Sequence, residues 1–466
     1  MILFMIDKYK HIYFIGIGGI GMSALAMYFY KTGYDVAGYD LVKNINCEKL
    51  EKSGIKVHYS DDLNKIEKCF FDKLNTLIIY TPAIPETHKE LSYFKKNGFK
   101  ILKRAEALGI ISKSKKSMTV AGTHGKTSVS SLCAWIMEHS QQKCTAFLGG
   151  VSKNFDSNII INRNSEFMVI EADEFDRSFL NLNPYISLIT SIEKDHLDIY
   201  KNYDNLYNSF VDFLNLTNEN GHIILNCNIN RNILKKIKTT AKIHWYSLNN
   251  SDSDFYIDNL KYTEDKSHFD FIYSGGKIEN LVAQTGGKHN LENIAAAIAM
   301  CVLNGVNSRD IKTAINSYIG VKRRFDIKIK NADRIFIDDY AHHPREISAT
   351  IDAVKEIFPG KKICGIFQPH LYSRTRDFAK EFAEELSKLD SLFLLPIYPA
   401  REEPIKGVSS KIIYDLCTCK KTKLCKKNEI FELIEKENPD LLLTMGAGDI
   451  DNLIKPLCQI LNKHEK

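Results

Sequence analysis

No stretch of the 466 residues comes near the ~20 consecutive apolar residues that a membrane-spanning helix needs. Residues 1–6 are apolar, but Asp7 and Lys8 cut the run well short of a signal-peptide core, so the expected location is the cytoplasm. The chain also lacks a basic arm, an RNA-binding aromatic signature and any zinc-finger spacing. Its 63 basic and 57 acidic side chains are spread along the length, for a formal charge of +6. No nucleic-acid partner is expected, and the mild positive excess suits small polyanions such as nucleotides. No internal repeat or low-complexity segment stands out. The eleven cysteines are odd in number and irregularly spaced, with Cys133 and Cys301 inside apolar helical stretches, which argues for reduced core thiols and not a disulfide framework. Cys417, Cys419 and Cys425 form the one cluster; the C-x-C-x5-C spacing is not that of a zinc knuckle, and no metal is assigned to them.

What the chain does have is an ordinary globular balance, 44% hydrophobic and 26% charged. A length of 466 residues exceeds what one core supports and predicts two to four domains. Residues 11–15 read as an apolar strand, 16–21 as a glycine turn, 22–32 as an amphipathic helix and 34–39 as a second strand ending at Asp40. With a buried strand at 77–80, this is a doubly wound unit. A second unit opens with a strand at 117–121 and a helix from about 128 to 140. Further strands are expected at 167–170, 186–190, 222–225 and 243–246, and antiparallel strands between 251 and 284. From 334 the alternation restarts, with strands at 334–337, 362–367, 392–395 and 441–444. The expected fold is α/β in three domains: a Rossmann-like one at 1–106, a P-loop-type ATPase domain with a mixed sheet at 107–320, and a Rossmann-like one at 321–466.

Four segments carry chemistry. Gly122, Thr123, His124, Gly125, Lys126, Thr127 and Ser128 have the composition of a phosphate cradle: glycines turn backbone N–H groups toward an anion, the following helix adds its dipole, Lys126 neutralises phosphate and Thr127 can ligate magnesium. Lys126 is read here as a solvated loop lysine whose loss would leave the fold intact. The strand at 167–170 delivers Glu171, Asp173, Glu174 and Asp176 at its end, where hard carboxylates suit magnesium, and Glu171 is the chosen ligand. His196 follows another strand end beside Asp195 and Asp198 and is taken as completing or orienting the metal site. The loop containing Gly18, Gly19, Ile20 and Gly21, with Asp40 downstream, signals diphosphate binding and also fits an NAD-dependent oxidoreductase. A dehydrogenase has no need of Lys126 and Thr127, however, whereas an ATP-driven enzyme acting on a nucleotide sugar needs two diphosphate sites.

These segments stand in a fixed series: GIGGIGMSALA from Gly16, GTHGKTS from Gly122, EADEFDRSFL from Glu171, IEKDHLDIY from Ile192, GKHNLENIAAA from Gly287, RRFD from Arg323, DDYAHHP from Asp338 and FQPHLYSRTRDF from Phe367. With them the chain resembles the Mur ligases over essentially its whole length. The resemblance implies an N-terminal domain for a UDP-sugar, a central domain for ATP and a C-terminal domain that closes and presents an amino acid. It implies the ATP- and magnesium-dependent joining of L-alanine to the lactyl carboxylate of UDP-N-acetylmuramic acid through an acyl phosphate, a step of peptidoglycan synthesis, in a monomer or weak homodimer. Within the family the alternative is a recycling ligase that adds a tripeptide to the same sugar nucleotide.

Carried over residue by residue, Asn290 and Asn293 would serve the adenine or central site, and Arg324 and Asp339 would reach ATP. Ser178 would contact the substrate, and Tyr340, His343, His370, Arg374 and Arg376 would line the place where amino acid and phosphate meet, with His343 and Arg374 catalytic. Gly38-Tyr39-Asp40 departs from the family, which commonly has serine before the aspartate, as does Thr81-Pro82 where paired serines are usual. No equivalent of the carbamylated lysine of sister ligases is assigned.

Overall fold

The computed structural model describes residues 4–193, 197–263, 266–284, 286–400 and 402–462. Three sheets organise them. The first has five parallel strands in the order Lys56–His58, Asp35–Tyr39, His11–Ile15, Thr76–Tyr80 and Lys100–Lys103. The chain reverses direction across the sheet at His11–Ile15, so the 16–21 loop opens at a topological switch point, where parallel sheets bind ligands. Helix Ile20–Thr32 ends at Gly33, whose φ of 105° only glycine adopts cheaply. The domain boundary expected at 106 falls inside a helix, Arg104–Ser112, that follows the last strand without a break.

The second sheet has ten strands. Lys116–Ala121 lies in its interior between Pro184–Ile189 and Phe167–Glu171, all parallel and largely buried, as expected for strands covered on both faces. Two features were not anticipated: the antiparallel hairpin Thr145–Ser152 with Ser157–Ile160 at one edge, and, inside the sheet, the pairing of Phe255–Thr263 with Lys242–Tyr246 in parallel, not antiparallel, sense. The antiparallel pairing expected in this stretch is found between Lys266–Tyr273 and Gly276–Ala283. The third sheet has six strands, with Asp326–Lys330 antiparallel at one edge and Ile335–Asp339, Leu441–Met445, Ile363–Phe367, Ser391–Leu394 and Lys421–Leu424 parallel beyond it. Residues 1–261, 267–284 and 292–319 form one compact unit; 262–266, 285–291 and 320–466 form another. Among the described residues no helix is long and apolar enough to cross a membrane.

One buried polar cluster in the first sheet has a measurable consequence. Glu90 is wholly buried, accepts the Tyr13 hydroxyl at 2.8 Å and lies 3.4 Å from His58 Nε2. Burial pushes its carboxyl up to about 8. Between about 4.5 and 8 the folded chain therefore holds a proton that the unfolded chain releases, so this group costs stability as pH rises through that window and adds no further cost above it. Glu90→Gln removes the titration. Relative to the parent, the variant should gain a few kcal/mol as pH rises from 5 to 8, at ~1.4 kcal/mol for each pH unit over which the two states differ by one proton. Thermal melts at both pH values read the gain. A gap that stays constant with pH would show that Glu90 does not titrate there.

Candidate active site

Strand Lys116–Ala121 runs into the loop 122–125, and helix Lys126–His139 follows. Gly125, the residue before the helix, has a φ of 79°; no side chain caps it and the first turn carries no acid. The helix N–H groups and dipole thus favour an anion that neither the cap nor the first turn supplies. Asn293 lies against this loop, since a Cβ on Gly125 would fall 2.3 Å from its Oδ1.

Lys126 is not a solvated loop lysine, which corrects the reading from sequence. Its side chain is 15% exposed and donates to Gly122 O at 2.6 Å, Thr123 O at 3.3 Å and Glu174 Oε1 at 2.8 Å, and Glu174 is 2% exposed. Burial alone would draw the ammonium's pKa down, but Glu174 and Asp173 outweigh it and hold it above its ordinary value. Thr127 Oγ1 donates to Glu171 Oε1 at 3.0 Å, while Glu171 Oε2 accepts Gly149 N–H at 2.8 Å. Gly149 leaves room for this carboxylate, since a Cβ there would stand 2.2 Å from Glu171 Oε1 and push it aside. Hydroxyl and carboxylate are hard oxygen donors, a set that fits magnesium together with phosphate oxygens. Ser128 sits half-buried in the first helical turn, and His124 Nε2 pairs with Glu193 Oε2 at 3.2 Å. His196 lies outside the described residues.

The loop after Phe167–Glu171 is bent by two successive left-handed residues, Asp176 at φ 52° and Arg177 at φ 53°. Each costs on the order of 1–2 kcal/mol outside glycine. Tyr200 braces the loop by donating to Glu174 O at 2.6 Å, and Arg177 lies 5.6 Å from the Tyr200 ring. Ser178 falls in the short helix Phe175–Asn181, where its carbonyl accepts Asn181 Nδ2 at 3.1 Å.

At the first glycine loop, Asp40 does not stand free: its Oδ2 accepts Gly18 N–H at 2.7 Å and its Oδ1 accepts Val42 N–H at 3.2 Å. Asn44 and Asn46 donate to Gly18 O at 3.3 and 2.9 Å, contacts that no local pattern announced. Gly19 caps helix Ile20–Thr32 without a side-chain bond, and no acid occupies its first turn. Ile20 is 40% exposed and its carbonyl accepts Asn158 Nδ2 at 2.9 Å, and Gly21 faces Arg104.

The other unit carries the remaining candidates. Asp339, expected to reach ATP, accepts Phe325 N–H and Ala341 N–H at 2.7 Å each; burial raises its carboxyl to about 6. It therefore organises the turn in which Arg323 and Arg324 lie 5.2 and 4.9 Å from the Tyr340 ring. His343 is buried with its ring 4.9 Å from Phe378, at the cap of helix Pro344–Ile357. His370 stacks on Tyr398 at 5.8 Å and meets Arg374 Nη1 at 3.4 Å. Arg374 is buried, whereas Arg376 is exposed and paired with Asp377 at 2.7 Å, so the two arginines diverge. Asn290 donates to Gly286 O at 2.9 Å and fixes the start of its own helix. Cys417 and Cys419 pack in one core cluster and Cys425 in another, so the three thiols do not converge on one point.

Comparison with known proteins adds an independent line. The chain matches family models described as the Mur ligase family catalytic domain over residues 11–116, the Mur ligase middle domain over 120–301 and the Mur ligase glutamate ligase domain over 323–448. It is 45% identical over 458 residues to a UDP-N-acetylmuramate–L-alanine ligase of Parabacteroides distasonis, covering 98% of each chain. A protein of the same name from Porphyromonas gingivalis is 45% identical over 454 residues, covering 97% of this chain and 99% of its own. Among solved structures, a UDP-N-acetylmuramate–alanine ligase of Thermotoga maritima superposes with a TM-score of 0.80 at 24% identity, over 98% of this chain and 100% of that one. A murein peptide ligase of Psychrobacter arcticus gives 0.70 at 20%, over the same shares.

Proposed function

The chain belongs to the Mur ligase family, and on that premise we propose that it joins L-alanine to the lactyl carboxylate of UDP-N-acetylmuramic acid in an ATP-dependent, ADP-forming reaction of peptidoglycan synthesis. The observation that carries this reading is the full-length likeness to the L-alanine ligases. The two anion-directed loops, at 16–21 and 122–127, supply what a nucleotide sugar and ATP each require.

Transfer of the γ-phosphoryl group to the lactyl carboxylate gives an acyl phosphate; the neutral amine of alanine adds to its carbonyl carbon, and phosphate leaves as the amide forms. In this scheme Lys126 and the N–H groups of the 122–127 loop oppose the charge of the transferring phosphoryl group. Thr127 and Glu171 would hold magnesium, with Asn293 shaping the loop from the side. The metal, when bound, neutralises phosphate charge. Arg324 is assigned to the nucleotide, and Asp339 to holding the turn that presents it. Arg374 and His370 are assigned to the alanine carboxylate, Tyr340 to the adjoining wall, and His343 to positioning the helix beside them. Arg376 takes a lesser part because Asp377 already neutralises it. Substrates of this kind place the reaction in the cytoplasm.

Phosphate release measured with UDP-N-acetylmuramic acid, ATP and L-alanine tests the assignment, with free tripeptide replacing alanine and with nicotinamide absorbance followed in parallel. Alanine should be the better acceptor, glycine and L-serine slow by the ~1–3 kcal/mol that one small group is worth, and D-alanine inactive. A faster rate with tripeptide would move the chain to the recycling reaction. Nicotinamide turnover without phosphate release would remove it from the ligases in function.

A further inference from the structure

Arg104 opens helix Arg104–Ser112, directly after the edge strand Lys100–Lys103 of the first sheet. Its guanidinium lies across the first turn of helix Ile20–Thr32, where a Cβ on Gly21 would stand 2.6 Å from Nη1, 3.1 Å from Cδ and 3.4 Å from Cζ. Glycine at position 21 thus makes room for the arginine. The charge sits at the positive pole of helix Ile20–Thr32, whose first turn has neither an acid nor a side-chain cap, whereas the start of its own helix is already held by Glu106, which accepts Lys103 N–H at 2.6 Å. A cation is disfavoured at the uncapped pole by itself. An anion placed between that pole and the guanidinium is attracted by both and offsets their repulsion.

Asp173 meets Arg104 only loosely, Oδ2 to Nη2 at 3.7 Å, with 43% of the aspartate side chain exposed and 26% of the arginine. The next residue, Glu174, is the one that holds Lys126 at 2.8 Å. Consecutive acids of one strained loop therefore pair with the cation beside each glycine loop, Arg104 at 16–21 and Lys126 at 122–127.

From this arrangement we infer that Arg104 grips the diphosphate of the sugar nucleotide and that Asp173 occupies the guanidinium only until the diphosphate displaces it. The inference rests on the reading of the 16–21 loop as the nucleotide-sugar site. A guanidinium offers two parallel N–H donors to phosphate oxygens, a match that a single long contact to a half-exposed carboxylate cannot equal. Asp173 is then a competitor for Arg104 and a positioning residue, and the loop it shares with Glu174 links occupancy of the two phosphate sites.

Isothermal titration of the full chain with UDP, and displacement titration with uridine, tests this. Arg104→Ala should weaken UDP and UDP-N-acetylmuramic acid about tenfold, the loss of one charge-assisted contact, and change uridine less than twofold. Arg104→Lys should fall between the two, because charge stays and the fork is lost. Asp173→Asn should tighten UDP two- to threefold. UDP binding to Arg104→Ala at wild-type strength would overturn the inference, as would equal losses for UDP and uridine, which mark a merely structural role. Weaker UDP binding by Asp173→Asn would remove the exchange. If the wild-type chain fails to bind UDP at all, the site assignment itself falls, an outcome distinct from the others.

Discussion

Lys126→Ala should lower phosphate release by at least about 100-fold, ~2.7 kcal/mol of barrier, because one positive charge on the transferring phosphoryl group is lost from a partly dry site. The same substitution should also destabilise the protein. Lys126 is 15% exposed and Glu174 2%, so truncation leaves a buried carboxylate without its ammonium, a change that costs roughly 3 kcal/mol when one partner of a buried pair is removed. Loss of activity in the single variant would therefore be open to trivial explanation by unfolding. The double variant Lys126→Ala/Glu174→Gln separates the effects, since a neutral amide in place of Glu174 lifts the electrostatic cost. Its melting temperature should return most of the way to that of the parent while its rate stays low. Recovery of more than about a tenth of the parental rate would show that Lys126 acts on stability and not on phosphate.

Glu171→Gln should raise the magnesium concentration for half-maximal rate by on the order of 10–100-fold, the range seen when a residue holding or orienting a metal ligand is lost. The geometry makes the variant informative. The introduced amide can keep one acceptor for either Thr127 Oγ1 or Gly149 N–H, bonds of 3.0 and 2.8 Å in the parent, but it carries no charge for a divalent ion. A structural role would thus show as a lower melting temperature with the magnesium titration unmoved. The proposed role predicts the reverse, a shifted titration that excess magnesium largely restores. An unchanged titration in a folded variant would return Glu171 to bracing the 145–152 strand.

Much of this site could be read from the chain because its parts are local. Gly125, Lys126 and Thr127 are adjacent, and a glycine with φ of 79° followed by a helix start is a matter of nearest-neighbour sterics and unsatisfied N–H groups. The interior strands were likewise legible, since both faces of Ile335–Asp339 and Leu441–Met445 are buried and each opens on an apolar run of three residues, 335–337 and 441–443. Edge strands were not. Lys421–Leu424 is almost wholly exposed and polar, and Ser157–Ile160 is half-buried throughout, so neither carries the hydrophobic period that marks a strand.

The sequence by itself therefore determined the α/β class, the two anion loops and the family to which their order points. Tertiary structure alone decided the partners. That Glu174 and not solvent meets Lys126, that Gly149 completes Glu171, that Arg374 turns inward to His370 while Arg376 turns out to Asp377, and that Arg104 lies on Gly21 all follow from which strand ends and helix starts are neighbours. Thr127 and Glu171 are 44 residues apart and Lys126 and Glu174 are 48 apart. Local propensity acts over a few residues, whereas contacts at such separations exist only once the order and register of strands in the sheet are set.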